Sequence, residues 1–216
     1  MKKILYSAFA LSLIACSDSA NNTPEATATV QEATADCNYT YIADSTTFQW
    51  TGYKTTAKIP VKGTFDSIIV AVKEGSSSNS IQAAIQNLEF SIPVNSVNSN
   101  NPDRDYKLLN RFFGSMDKTA NLTGFVSKLD GNDQNGSIEI SINMNDMSQI
   151  MTASYAVTDN KFDVVGSLDL LNWKAANAVS SLNDVCKVLH TGEDGISKTW
   201  NQVGISFSIA FSEDCK

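Results

Sequence analysis

Histidine is almost absent from this chain: His190 is the only one among 216 residues. No cysteines stand at CxxC spacing and no Cys/His spacing suggests zinc, so a structural metal is not expected. There is no G-x-S-x-G elbow, and the turn segments are too poor in glycine to form a phosphate loop. His190 lies ahead of Thr191 and Gly192 at the end of a helical pattern, which reads as a capping or dipole-compensating position. Asp103 and Asp105 fit the first turn of a helix better than a glycosidase pair. Positive charge is also scarce, with 16 Lys and Arg against 23 Asp and Glu and a net charge of -7. Nucleic acid and an anionic membrane surface are therefore poor partners for the domain. These absences predict a protein that is not an enzyme and needs no cofactor.

No apolar run is long enough to cross a bilayer as a mature helix. The longest, residues 4–15, follows Lys2 and Lys3 and ends in Leu13-Ile14-Ala15-Cys16. This resembles a bacterial lipoprotein signal, in which residues 1–15 are removed and Cys16 carries the lipid. A plain secretory signal is the alternative. Processing moves the net charge from -7 to -9, because Lys2 and Lys3 are lost. Residues 16–37 are small, polar and acidic beyond the cysteine, a composition too poor in apolar surface to offset its ordering entropy, and read as a flexible tether. The expected location is the bacterial cell envelope, on the periplasmic or outer-membrane face. The expected membrane contact is the lipid anchor.

From residue 38 onward a single domain is predicted, and period-two alternation dominates it. Ile138, Ile140, Ile142 and Met144 share one face; Phe162, Val164, Leu168 and Leu170 share another. Leu88, Phe90, Ile92 and Val94 repeat the pattern, as do Val203, Ile205, Phe207, Ile209 and Phe211. Eight strands are expected, near 39–54, 58–73, 87–95, 119–130, 136–145, 149–157, 161–171 and 200–212. In the second, the dry face changes parity between Phe65 and Ile68, which predicts a bulge or sharp bend. Turn residues at Asp130-Gly131, Asn135-Gly136 and Thr158-Asp159-Asn160 are too closely spaced for parallel crossovers. A sandwich would satisfy the same pattern, but closure removes exposed edges. The expected fold is all-β: an eight-stranded antiparallel lipocalin-like barrel with two short helices.

The first helix is read from NNPDRDYKLLNRFF at 100–113. Asn101 is a suitable N-cap, Pro102 suits the first helical position, and Asp103 and Asp105 sit where the helix dipole favours negative charge. Leu108, Leu109, Phe112 and Phe113 then fall on one side. The second helix is expected from Trp173 to His190, with Ala176, Val179, Leu182, Val185, Val188 and Leu189 as its buried stripe.

Taken in order and spacing, V-K-G-T-F at 61–65, S-V-N at 96–98, R-D-Y-K-L-L-N-R-F-F at 104–113 and T-A-N-L-T-G at 119–124 resemble the YceI-like family over most of 38–213. The resemblance implies a lipocalin-type barrel holding a polyisoprenoid or related long-chain amphiphile. It places Phe65, Leu108, Phe112 and Phe113 around the cavity or its mouth, and Arg104, Asp105 and Lys107 on the connecting helix. Pattern alone adds Phe90, Ile140, Ile142, Tyr155, Phe162 and Phe207 as inward-facing residues. Arg104 and Lys107, about one turn apart, are candidates for an anionic headgroup; the alternative pairs Arg104 with a nearby aspartate and leaves Lys107 solvated. The helix at 174–186 departs from simpler members, and as a plug it would fill the barrel. An envelope protein with a filled barrel, acting through protein contacts, is the competing function.

Besides Cys16, three cysteines are present: Cys37, Cys186 and Cys215. In a closed barrel the first and last strands are neighbours, which brings Cys37 to Cys215. A bridge from Cys186 to either is the alternative.

Overall fold

The computed structural model describes residues 36–73 and 78–216. The signal segment, Cys16 and all but the last residues of the tether lie outside them. Among the described residues, eleven strands form one antiparallel sheet. They are β1 (Cys37–Tyr41), β2 (Thr47–Lys54), β3 (Ile59–Phe65), β4 (Ile69–Val72), β5 (Leu88–Pro93) and β6 (Val97–Asn98), then β7 (Asn121–Gly131), β8 (Asn135–Met144), β9 (Met147–Thr158), β10 (Lys161–Asp169) and β11 (Gln202–Cys215). The helices are α1 (Ile81–Gln86), α2 (Pro102–Lys107), α3 (Ala176–Val185) and α4 (Lys187–His190). None of the helices described is long and apolar enough to cross a membrane.

Eleven strands replace the expected eight because two of the expected runs break and one short strand, β6, lies outside all of them. The first divides into β1 and β2; β6 follows the third run after a 3₁₀ turn at Val94–Ser96, beyond that run's expected end at residue 95. The second divides at the parity change, where Asp66–Ile68 leave the ladder and the chain passes from β2 to β5 as its partner. The pairing order is β4-β5-β7-β8-β9-β10-β11-β2-β3-β6, with β1 also on β11. This is a curled sheet whose end strands β4 and β6 do not pair with each other. The seam is instead crossed by the chain, since β5 pairs β7 while β6, three residues further on, pairs β3.

Hairpin geometry follows residue chemistry. Asn145 (φ 54°) and Asp146 (φ 54°) turn β8 into β9, and Asp159 (φ 50°) and Asn160 (φ 59°) turn β9 into β10. Two successive left-handed residues match the twist of the flanking strands, and Asn and Asp tolerate that conformation. Asn135 and Gly136 begin β8 instead of forming the turn. The loop before them is held by Asn132 Oδ1, which accepts from the backbone of Gln134 and Asn135.

Two ends of the curl differ. At one, α1 packs Ile81, Ala84 and Ile85 onto Ile138, Tyr155, Phe162 and Val164 in a solid core. Here Cys37 pairs with Cys215 in register between β1 and β11 and is bridged to it; Cys186 is free and buried. At the other end, α2, α3 and α4 lie across the opening.

Those helices differ from the expectation. Regular helix in α2 stops at Lys107, followed by one π turn (Leu108–Phe112) and a 3₁₀ turn (Phe113–Ser115). The expected 173–190 helix breaks at Cys186, and its stripe is not all buried: Val188 is 88% and Leu189 60% exposed.

Candidate functional site: a two-part cavity beneath the helical cover

Period two continues along β2 through Phe48, Trp50, Gly52 and Lys54, and all four line a cavity of about 320 Å³. Trp50 is fixed by its Nε1–H, which donates to the Thr64 carbonyl at 3.1 Å. Its ring lies over Gly63, where a Cβ would come within 2.2 Å of Trp50 Cζ2, so only glycine fits. From Phe48 a file of rings runs through Phe65 (5.8 Å), Phe113 (6.3 Å) and Phe112 (5.0 Å). The π turn brings Leu108, Phe112 and Phe113 together on this cavity.

The cover is pinned independently. Trp173 is fully buried just before α3; its Nε1–H donates to the Ile142 carbonyl at 3.0 Å, and the Trp173 carbonyl accepts from Asn145 Nδ2 at 2.7 Å. From that anchor, Val179 and Leu182 of α3 and Leu189 and His190 of α4 reach the cavity wall. The helix therefore roofs the hollow and does not plug it.

A second cavity of about 130 Å³ lies deeper and shares Phe48, Leu122, Met144, Leu168 and Ile205 with the first. Phe90, Ile142, Ile205 and Phe207 belong to inward-facing registers yet are only partly buried, because they face this empty space. Ile85, Met151 and Ile209 close its far side.

Every cationic side chain that lines the two cavities belongs to the outer one. Lys54, Arg104, Lys107, His190 and Asp103 line it, and the first four are half-buried. None of the three cations joins an ion pair among the described residues. Arg104 Nη1 donates to the Ser99 carbonyl at 3.3 Å, not to an aspartate. Asp105 is spent on the turn before α2, accepting from Ser99 N at 2.9 Å and Ser99 Oγ at 2.6 Å. The result is positive charge at the mouth of an otherwise acidic protein. It is felt locally: burial holds the His190 pKa below its ordinary value, and Lys54, Lys107 and Arg104 add to the depression. Burial raises the Cys186 thiol pKa, while the same three cations pull the other way.

Of the twelve residues expected at a ligand site, Phe65, Arg104, Lys107, Leu108, Phe112 and Phe113 line the outer cavity, and Phe90, Ile140, Ile142 and Phe207 the inner one. Tyr155 and Phe162 line neither. They stack on each other at 4.8 Å in the solid end, with Tyr155 Oη donating to the Asn132 carbonyl. Sequence reasoning missed Phe48, Trp50 and Lys54, although their shared parity on one strand was a usable signal. It also read His190 as a helix cap, whereas its ring reaches Thr199 and the cavity wall. One grouping of potential metal ligands occurs among the described residues, Cys37, Glu213 and Cys215, and both its thiols are taken up by the disulfide.

A curled antiparallel sheet around an apolar hollow with a helical cover defines a lipocalin-like architecture. The YceI-like domain model matches residues 39–211, and the chain belongs to that family. Among solved structures, a polyisoprenoid-binding domain from Saccharophagus degradans implicated in plant cell wall breakdown is similar at a TM-score of 0.55 and 10% identity, covering 83% of this chain and 99% of that one. BcnA of Burkholderia cenocepacia is similar at 0.55 and 15%, covering 80% and 99%. These likenesses concern the fold. No curated protein matches the chain.

Proposed function

We propose that the domain binds and carries one long-chain amphiphile, a polyisoprenoid or similar lipid, without catalysing a reaction on it. The observation that carries this reading is the division of the hollow. The inner part is lined by apolar side chains apart from Thr46 and Glu89, and the outer part adds at its rim three cations that join no ion pair among the described residues. The outer volume alone falls in the range of small-molecule sites, about 300 to 1,000 Å³. An apolar tail occupies the inner part, and an anionic or strongly polar end sits near Lys54, Arg104 and Lys107. The polyisoprenoid-binding description of the Saccharophagus degradans domain supports this ligand class. Lipidation at Cys16 would hold the domain at a bacterial envelope membrane.

Native mass spectrometry of protein purified without detergent tests the reading. A stoichiometric long-chain adduct, released by organic extraction, is the expected result. An apo mass, with no uptake of added long-chain lipid, would overturn it and favour a domain acting through protein contacts.

A further inference from the structure

The only histidine of the chain stands at the mouth with one ring nitrogen already committed. Thr199 Oγ1 donates its single proton to Asn183 Oδ1 at 3.0 Å. That hydroxyl therefore accepts from His190 Nδ1, 2.6 Å away, and the proton of the neutral ring resides on Nδ1. Ser197 Oγ also donates to Asn183 Oδ1, at 3.3 Å. Nε2 is then a lone-pair acceptor with no partner among the described residues. The ring lines the outer cavity together with Lys54 from β2, Asp103, Arg104 and Lys107 from α2, and Cys186 ahead of α4. Among these polar neighbours the cations can only donate, so the neutral imidazole offers the complementary function.

We propose that His190 is a ligand-binding residue whose Nε2 accepts a hydrogen bond from a donor on the polar end of the amphiphile, such as a hydroxyl, an amide N–H or a protonated phosphate oxygen. This rests on the lipid-binding reading and sharpens it. The mouth selects ligands that carry a hydrogen-bond donor, and Asn183 and Thr199 act as positioning residues by holding the tautomer. Burial and the three cations keep the ring neutral at pH 7 and above, where it acts as acceptor. Once protonated in acid, the same ring only donates and the selection disappears.

Hexadecanol and hexadecyl methyl ether share a chain and differ in the donor. Their affinities are measured at pH 8 by displacement of a fluorescent long-chain probe. The alcohol is expected to bind about 3- to 10-fold more tightly than the ether, the usual worth of one neutral hydrogen bond. His190→Phe should make the two equal, His190→Gln, which keeps an acceptor, should restore part of the difference, and acidification should erase it in the native protein. With ¹⁵N-labelled histidine the single imidazole should show the Nδ1–H tautomer, and its Nε2 resonance should move on adding the alcohol but not the ether. Equal affinities in the native protein, a difference that survives His190→Phe, or an Nε2–H tautomer would each overturn the proposal while leaving lipid binding intact. If neither probe binds, the lipid-binding reading itself falls, and His190 with it.

Discussion

The two ends of the curled sheet are built from the same alternating pattern, yet one is solid and the other hollow. At the solid end α1 supplies Ile81, Ala84 and Ile85 as a plug, and Gly131 and Gly136 let Tyr155 lie directly on the backbone. At Gly136 a Cβ would stand 2.7 Å from Tyr155 Cε1. At the hollow end the cover is hung from Trp173 and stays above the space. Alternation fixes which side chains point inward. What fills the space between them is decided by insertions outside the strands.

That contrast predicts separable losses. The largest is at the solid end: removing the Cys37–Cys215 bridge by Cys37→Ser with Cys215→Ser should lower stability by about 5 kcal/mol in the chain-entropy model, given the 178-residue separation. Denaturant midpoints of oxidised and variant protein measure it. Phe162→Ala should follow at about 3 to 5 kcal/mol, since its fully buried ring leaves a cavity in packed surroundings, with ligand uptake at the other end unchanged. Leu122→Trp, at the junction of the two cavities, should reverse the pattern. Lipid adducts in native mass spectra should fall more than tenfold while stability changes by roughly 1 to 3 kcal/mol. Equal sensitivity of both properties in these variants would dissolve the division between ends.

Smaller still is the effect of charge. Arg104→Gln with Lys107→Gln should weaken an anionic amphiphile several-fold and flatten its salt dependence, leaving an uncharged one unaffected. The smallest effect is the pH dependence from His190. Its pKa is lowered from 6.5 in the folded protein, so the unfolded chain binds the proton first. Stability contributed by the neutral ring is complete above 6.5 and declines as pH falls toward the lowered value. Denaturant midpoints between pH 8 and 5 should show this slope, and His190→Gln should remove it.

Much of this was legible in residue order. Ile138, Ile140 and Met144 are buried as their alternation requires, and the parity change after Phe65 marks a real break in the ladder. Asn101 caps α2, accepting from Arg104 N, as its residue type predicts. What could not be read depended on contacts distant in sequence. Tyr155 and Phe162 have the same alternation as Ile142 and Phe207, and only the arrival of α1 separates core from cavity wall. The stripe at Val185, Val188 and Leu189 satisfies helical periodicity, but the helix breaks at Cys186 and Val188 is left largely exposed. His190 joins the mouth through Thr199, which lies beyond a turn that periodicity does not describe.

The bridge between Cys37 and Cys215 also sets a direction. It sits at the base, while β11 runs 14 residues from the mouth at Gln202 to that base, roughly 45 Å at strand rise. Asp36, whose carbonyl accepts from Lys216 N at 3.2 Å, stands at that base, the end opposite the mouth.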